Sequence, residues 1–187
     1  MFANFCVIVI VLLLFLNANL SEKPKFSIYQ IQTFEIKNNE GYRKWWYPDG
    51  KIRGVQTYSI GYGWNDWGGK RRHQIRKYTR DGIVTESEAY QIVLNELKSM
   101  GRLHTDPYKD LAMKLHAYNR GSIKSGRALG GCCGTKYGCG HRNANIRKSH
   151  TPRRKMELAL WNHDFRYVNQ RTIENKENLS IKYASMK

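Results

Sequence analysis

Three oxygen-bearing side chains fall within one short stretch of the chain. Glu40 begins Glu40-Gly41-Tyr42-Arg43, Asp49 sits in Tyr47-Pro48-Asp49-Gly50, and Ser59 begins Ser59-Ile60-Gly61-Tyr62-Gly63. Two carboxyls and a hydroxyl spaced in this way suit the hydrolysis of a glycosidic bond. One carboxyl must be protonated to donate to the leaving oxygen, while the other, or a positioned polar group, aims a water at the opposite face of the sugar. A hydroxyl can hold that water, and glycines let the backbone turn tightly beside a cleft. Each residue also has a plainer reading. Glu40 is then a solvated acid at a helix end, Asp49 the acid of a Pro-Asp-Gly turn, and Ser59 a polar residue alternating along a half-exposed strand. Thr57 rivals Ser59 for the hydroxyl role. Glu35 is the nearest competing acid, but it lies inside the helix and no glycine follows it.

The elements that must position these residues can be read from pattern. Ser27 caps a short helix in which Ile28, Ile31 and Phe34 share a face, and Asn38-Asn39 ends it just before Glu40. Residues 44–64 are rich in β-formers and broken by Pro48-Asp49-Gly50 and by glycines, which predicts a small antiparallel sheet. Trp64 to Lys77 is polar and basic and reads as a surface loop. Thr85-Glu86-Ser87-Glu88 is a capping box that opens a helix with Ala89, Ile92, Val93 and Leu97 on its stripe. A second helix runs from about Asp106 to Tyr118, with Pro107 suited to its first position. A third is expected over Arg153 to Phe165, with Pro152 at its start and Met156, Leu158 and Leu160 in the core. Residues 166–187 are polar and basic and read as an extension. Helix, small sheet, then helices is an α+β layout with the strands segregated early.

The same residues resemble the catalytic signature of phage-type lysozymes, glycoside hydrolase family 24. That family places Glu-Gly at a helix end, a Tyr-x-Asp shortly after, and Thr-Ile-Gly-Tyr-Gly-His on a strand. Ile83-Val84-Thr85, His116-Ala117-Tyr118-Asn119-Arg120-Gly121 and Arg153-Arg154-Lys155-Met156-Glu157-Leu158-Ala159-Leu160 resemble its later segments in the same order, so the likeness runs from about residue 28 to 165. It implies a lysozyme-like fold, a helical lobe and a small β lobe with the cleft between them. It also implies hydrolysis of the β-1,4 bond between N-acetylmuramic acid and N-acetylglucosamine in peptidoglycan, with no cofactor. By the resemblance Glu40 is the general acid, Asp49 the second carboxylate, and Ser59 the match to the family's Thr.

Tyr47, Asn119 and Trp64 are the candidates for substrate contacts. Asn119 could bind an acetamido group or cap a helix C-terminus. Trp64, like Trp45 and Trp46, could stack on sugar or simply pack. The chain departs from the family in three ways. About four extra residues separate Asp49 from Ser59. Ser lacks the methyl that fixes a Thr rotamer. Trp64 stands where the family has His. These departures motivate a second reading, a catalytically impaired peptidoglycan-binding module of the same fold.

Composition sets the outer limits. The 187 residues suffice for one domain, and 41% hydrophobic with 25% charged residues excludes a disordered or fibrous chain. A net charge of +17 attracts polyanions: nucleic acid, an anionic membrane or an acidic cell wall. No nucleic-acid motif is present, so a wall partner is favoured over nucleic acid, and a monomer is expected. Residues 1–19 carry the apolar run Cys6 to Leu16, too short to span a bilayer comfortably and suited to a secretory signal or an N-terminal membrane anchor. Export is therefore expected, with residues 20–165 as the catalytic domain. A Gly-, Cys- and Arg/Lys-rich insertion over about 121–150 holds Cys132, Cys133 and Cys139. A disulfide from Cys139 to Cys132 or Cys133 is the first choice. Zinc held by the cysteines with His141 or His150, and free thiols, remain open.

Overall fold

The computed structural model describes residues 22–120 and 144–185. The expected leader, residues 1–19, lies outside the described residues. So do Cys132, Cys133, Cys139 and His141.

Helix α1, Ile28–Glu40, starts at a full capping box in which Ser27 and Gln30 satisfy each other's backbone N–H groups. It buries Ile31, Glu35 and Ile36. Gly41 stops it at a φ of 59°, in the left-handed region that glycine enters at little cost, so the chain leaves Glu40 directly into the sheet.

The sheet has three antiparallel strands in the order β1 (Arg43–Ile52), β2 (Val55–Gly61) and β3 (Trp64–Asn65). The expected turn at Pro48-Asp49-Gly50 is corrected. These residues belong to β1, and the register shifts between Pro48 and Lys51. The chain reverses at Arg53-Gly54 instead, both at positive φ (51° and 80°) between the paired Ile52 and Val55. That is the backbone of a two-residue hairpin loop matched to strand twist. The extra residues between Asp49 and Ser59 thus lengthen the hairpin and are taken up by a bulge.

The segment from Trp64 to Lys77 is more than the surface loop expected from its polarity. It contains β3 and leads into a 3-10 helix, Arg72–Tyr78, and it buries Trp64, Asp66 and Ile75. The Asp66 carboxylate organises it by accepting from Tyr58 N at 2.9 Å, Gly68 N at 3.0 Å and Arg72 Nε at 2.7 Å.

Helices α2 (Glu86–Ser99), α3 (Pro107–Arg120), α4 (Ala144–Asn162) and α5 (Phe165–Ala184) complete the described fold. The Thr85–Glu88 capping box opens α2 as its sequence indicated. Helix α4 starts earlier than expected, so Pro152 lies inside it rather than at its start. It ends at Asn162, and the next helix, capped by Asp164, takes over the end of the span expected to be one helix.

The largest correction concerns residues 166–187, read from sequence as an extension. Residues 165–184 form a helix that packs against α1 and α4 and buries Val168, Thr172, Asn175 and Leu179 on one face. Ile31, Ile60, Tyr62, Val93, Met156, Leu160 and Val168 form a single core beneath helices and sheet. The fold class is α+β, as the sequence layout indicated.

Candidate active site

Glu40 closes α1, and its carboxyl is mostly covered. Its Oε1 lies 3.0 Å from Arg153 Nη1, and its Oε2 lies over Gly63, where a Cβ would come within 3.2 Å. A side chain there would press on the acid, and the backbone φ of 78° already favours glycine. Burial raises the Glu40 pKa above the ordinary carboxyl value and the Asp49 charge raises it further, while the Arg153 cation pulls it down. Burial prevails, as expected for a carboxyl taken out of water.

Asp49 lies on β1, exposed to solvent. Its Oδ2 accepts from Ser59 Oγ at 2.6 Å and from Asn65 Nδ2 at 3.3 Å. Thr57 Oγ1 donates instead to the Asp49 backbone carbonyl at 2.7 Å. Ser59, fully buried, is therefore the hydroxyl that meets the carboxylate. Ser59 pairs with Tyr47 on one side and with Asn65 on the other, and the Asp49 side chain, two residues beyond Tyr47, joins them through its bonds to Ser59 and Asn65 in a row across all three strands. Tyr47 is half-buried in this row, with the Arg43 guanidinium 5.0 Å from its ring centre. Burial and then the Asp49 charge hold its hydroxyl pKa above the usual value.

Two expected substrate contacts are engaged elsewhere. Asn119 Oδ1 accepts from Arg153 Nη1 at 2.7 Å and its Nδ2 donates to Glu157 Oε1 at 3.2 Å, so both ends of the amide tie α3 to α4. Trp64 is 3% exposed. It packs edge-on against Trp46 at 6.3 Å, with the Arg71 guanidinium 5.0 Å from its ring, and its Nε1 reaches Glu96 Oε2 at 3.4 Å. It serves packing and has no open face for a sugar.

Glu35, the competing acid, is buried and enclosed. Asn39 Nδ2 and Asn175 Nδ2 each donate to one of its oxygens at 2.6 Å, and Arg171 Nε lies 3.8 Å away. Burial pushes its pKa up to about 7 against the opposing Arg171 charge. Glu35, Glu40, Asn39, Tyr118 and Arg153 line one small pocket.

Arg153, Tyr118 and Asn65 were not singled out from sequence. Arg153 also donates through Nη2 to the Asn39 carbonyl at 2.5 Å, so one guanidinium ties α4 to the last turn of α1. Behind it, Glu157 Oε2 bonds Arg154 Nη1 and lies 2.8 Å from His116 Nδ1, a buried clasp between α3 and α4. The Arg153-Arg154-Lys155-Met156-Glu157 run was the available signal, since it places Glu157 one turn beyond Arg153. Tyr118 is half-buried and donates to the Tyr62 carbonyl at 2.7 Å, which joins α3 to the end of β2 beside Gly63. Nothing marks Asn65 in the sequence beyond its following Gly63-Trp64.

Among the described residues no group of three or more His, Cys, Asp or Glu side chains is placed to hold a metal, and no helix is long and apolar enough to cross a membrane. No protein-family model, curated protein or solved structure matches the chain.

Proposed function

We propose that the protein is a muramidase of the phage-lysozyme type, an exported monomer that hydrolyses the β-1,4 bond between N-acetylmuramic acid and N-acetylglucosamine with inversion. The observation that carries this reading is the contrast between two carboxyls joined by one helix end and one strand. Glu40 is covered and holds its proton more tightly than an ordinary acid, while Asp49 is open to solvent and bonded to the Ser59 hydroxyl. Environments that separate two carboxyls in this way assign one as acid and the other as base.

In this reading Glu40 protonates the glycosidic oxygen as the bond to the anomeric carbon breaks. Asp49 and Ser59 hold a water on the opposite face, which attacks that carbon and gives its proton to Asp49. The Arg153 cation, already beside Glu40, stabilises the carboxylate left after donation. The sheet and the helices, joined at Glu40-Gly41, suit two lobes with the glycan between them. The +17 charge suits attraction to a wall rich in anionic groups.

Product analysis tests the proposal. Purified glycan treated with the wild-type protein should gain reducing ends, and Glu40→Gln should lose about 100-fold or more of that rate. Release of amino groups instead would mark an amidase. Retention of peptidoglycan in a pull-down without reducing ends would mark a binding module.

A further inference from the structure

Asn65 places one amide nitrogen where three oxygens converge. Its Nδ2 lies 3.1 Å from Ser59 Oγ, 3.2 Å from Thr57 Oγ1 and 3.3 Å from Asp49 Oδ2. Its Oδ1 accepts from Trp67 N at 2.8 Å. That backbone N–H can only donate, so it fixes the amide with its carbonyl toward Trp67 and its NH2 toward the row. The NH2 in turn can only donate. Ser59 Oγ therefore receives a hydrogen from Asn65 and sends its own to Asp49 Oδ2, 2.6 Å away.

We propose that Asn65 is a positioning residue that, by donating toward both Ser59 Oγ and Asp49 Oδ2, holds the Asp49 carboxylate so that its Oδ1 is the oxygen presented to the nucleophilic water. The inference rests on the reading of Asp49 and Ser59 as the water-holding pair. With its hydrogen committed to Asp49 and its side chain fully buried, Ser59 acts on the water through the carboxylate it holds. Asp49 Oδ1 receives no hydrogen bond from the described residues and is the acceptor left for the water. A water giving one hydrogen to Oδ1 keeps its lone pairs for the sugar. As its oxygen bonds to the anomeric carbon, the bond to the leaving oxygen breaks. The Glu40 proton goes to that oxygen and a water proton goes to Asp49 Oδ1. Without Asn65 the exposed Asp49 carboxylate keeps the Ser59 bond alone and is freer to turn, so Oδ1 no longer meets the water in one orientation.

Steady-state kinetics of reducing-end release by the full chain test this with Asn65→Ala, Asn65→Asp, Asp49→Asn and the Asn65→Ala/Asp49→Asn double variant. Asn65→Asp keeps an acceptor for Trp67 N but removes the donor, so it separates positioning from local folding. Thermal unfolding of each variant confirms that the fold is kept. Asn65→Ala is expected to lower kcat about 10- to 100-fold with KM changed less than about 2-fold, and Asn65→Asp to lower it at least as far. Asn65→Ala should add almost nothing once Asp49 is Asn, because a residue acting through another is non-additive with it. Wild-type kcat in either single Asn65 variant, or a full multiplicative loss in the double variant, overturns the inference and leaves the muramidase reading standing. A wild-type protein that releases no reducing ends overturns both.

Discussion

Arg153 Nη1 lies 3.0 Å from Glu40 Oε1 and 2.7 Å from Asn119 Oδ1, so one nitrogen of α4 holds both the acid at the end of α1 and an amide of α3. The contact opposes the effect of burial on Glu40, and its charge and its grip can be separated by measurement.

In the proposed mechanism Glu40 is a general acid and works only while protonated, so the expected activity falls as pH rises through the Glu40 pKa, already raised by burial. Replacing Arg153 by Met removes a cation that favours the carboxylate, which raises that pKa further. The alkaline limb of kcat/KM for Arg153→Met should therefore move to higher pH, while the plateau falls about 10-fold because the carboxyl loses its anchor. An alkaline limb that stays in place would show that Glu40 does not feel the Arg153 charge.

Glu35 gives a pH dependence of stability with the opposite sign to the usual acid. Its folded pKa of about 7 exceeds the ordinary carboxyl value of 4.5, so the folded state binds the proton more tightly than the unfolded chain. Stability is then highest below the lower value, falls as pH climbs between the two, and levels above about 7, a loss on the order of 3 kcal/mol. Thermal unfolding of Glu35→Gln across this window should be flatter with pH than the wild type. Parallel curves would show that Glu35 is ionised in the fold throughout.

Gly63 has a φ of 78°, and a Cβ there would stand 3.2 Å from Glu40 Oε2. Gly63→Ala should cost about 1–2 kcal/mol of stability from backbone strain and also depress kcat by displacing the carboxyl. Gly82→Ala is the control. Its φ of 77° imposes similar strain, but no atom lies within 4 Å of the new Cβ. Tm and kcat of the two variants should diverge only in kcat.

Helix α5 should behave as core. Leu179 is 6% exposed and Ile181 is 69% exposed. Leu179→Ala is expected to destabilise by about 2–5 kcal/mol in urea unfolding, and Ile181→Ala by less than about 0.5 kcal/mol. Equal small effects would return the segment to the role of a tail.

Local chemistry made part of this legible in the sequence. Ser27 and Thr85 announce their helices because a capping box needs only residues three apart, and the alternating aromatics around Tyr58 mark a strand. Glu40 at a helix end followed by glycine was visible for the same reason. What escaped depends on contacts between distant segments or on an unmarked irregularity. Thr57 and Ser59 share one face of β2, so the choice between them turned on where Asp49 falls along that face, which the bulge between Pro48 and Lys51 shifts. Helix α5 buries Asn169, Thr172 and Asn175 along with Val168 and Leu179, so a search for apolar periodicity sees a polar segment. Trp64 and Asn119 have chemistry suited to sugar, but whether they are free for it depends on Arg71, Glu96, Arg153 and Glu157, none of them adjacent in the chain.

The packing of α5 on α1 also bears on synthesis. Asn175 holds both Glu35 and Asn38, and Asn169 accepts from Lys25 N, so the first described helix finds its cover in the last one. A nascent polypeptide on the ribosome has exposed Glu40 and its helix long before residues 165–184 are translated. Until then the Glu35 carboxyl has no Asn175 and the Val168 side of the core is open. Such distant pairing delays the final folding step until late in translation. A cell making this protein is thereby spared a completed core around Glu35 until residues 165–184 have been read.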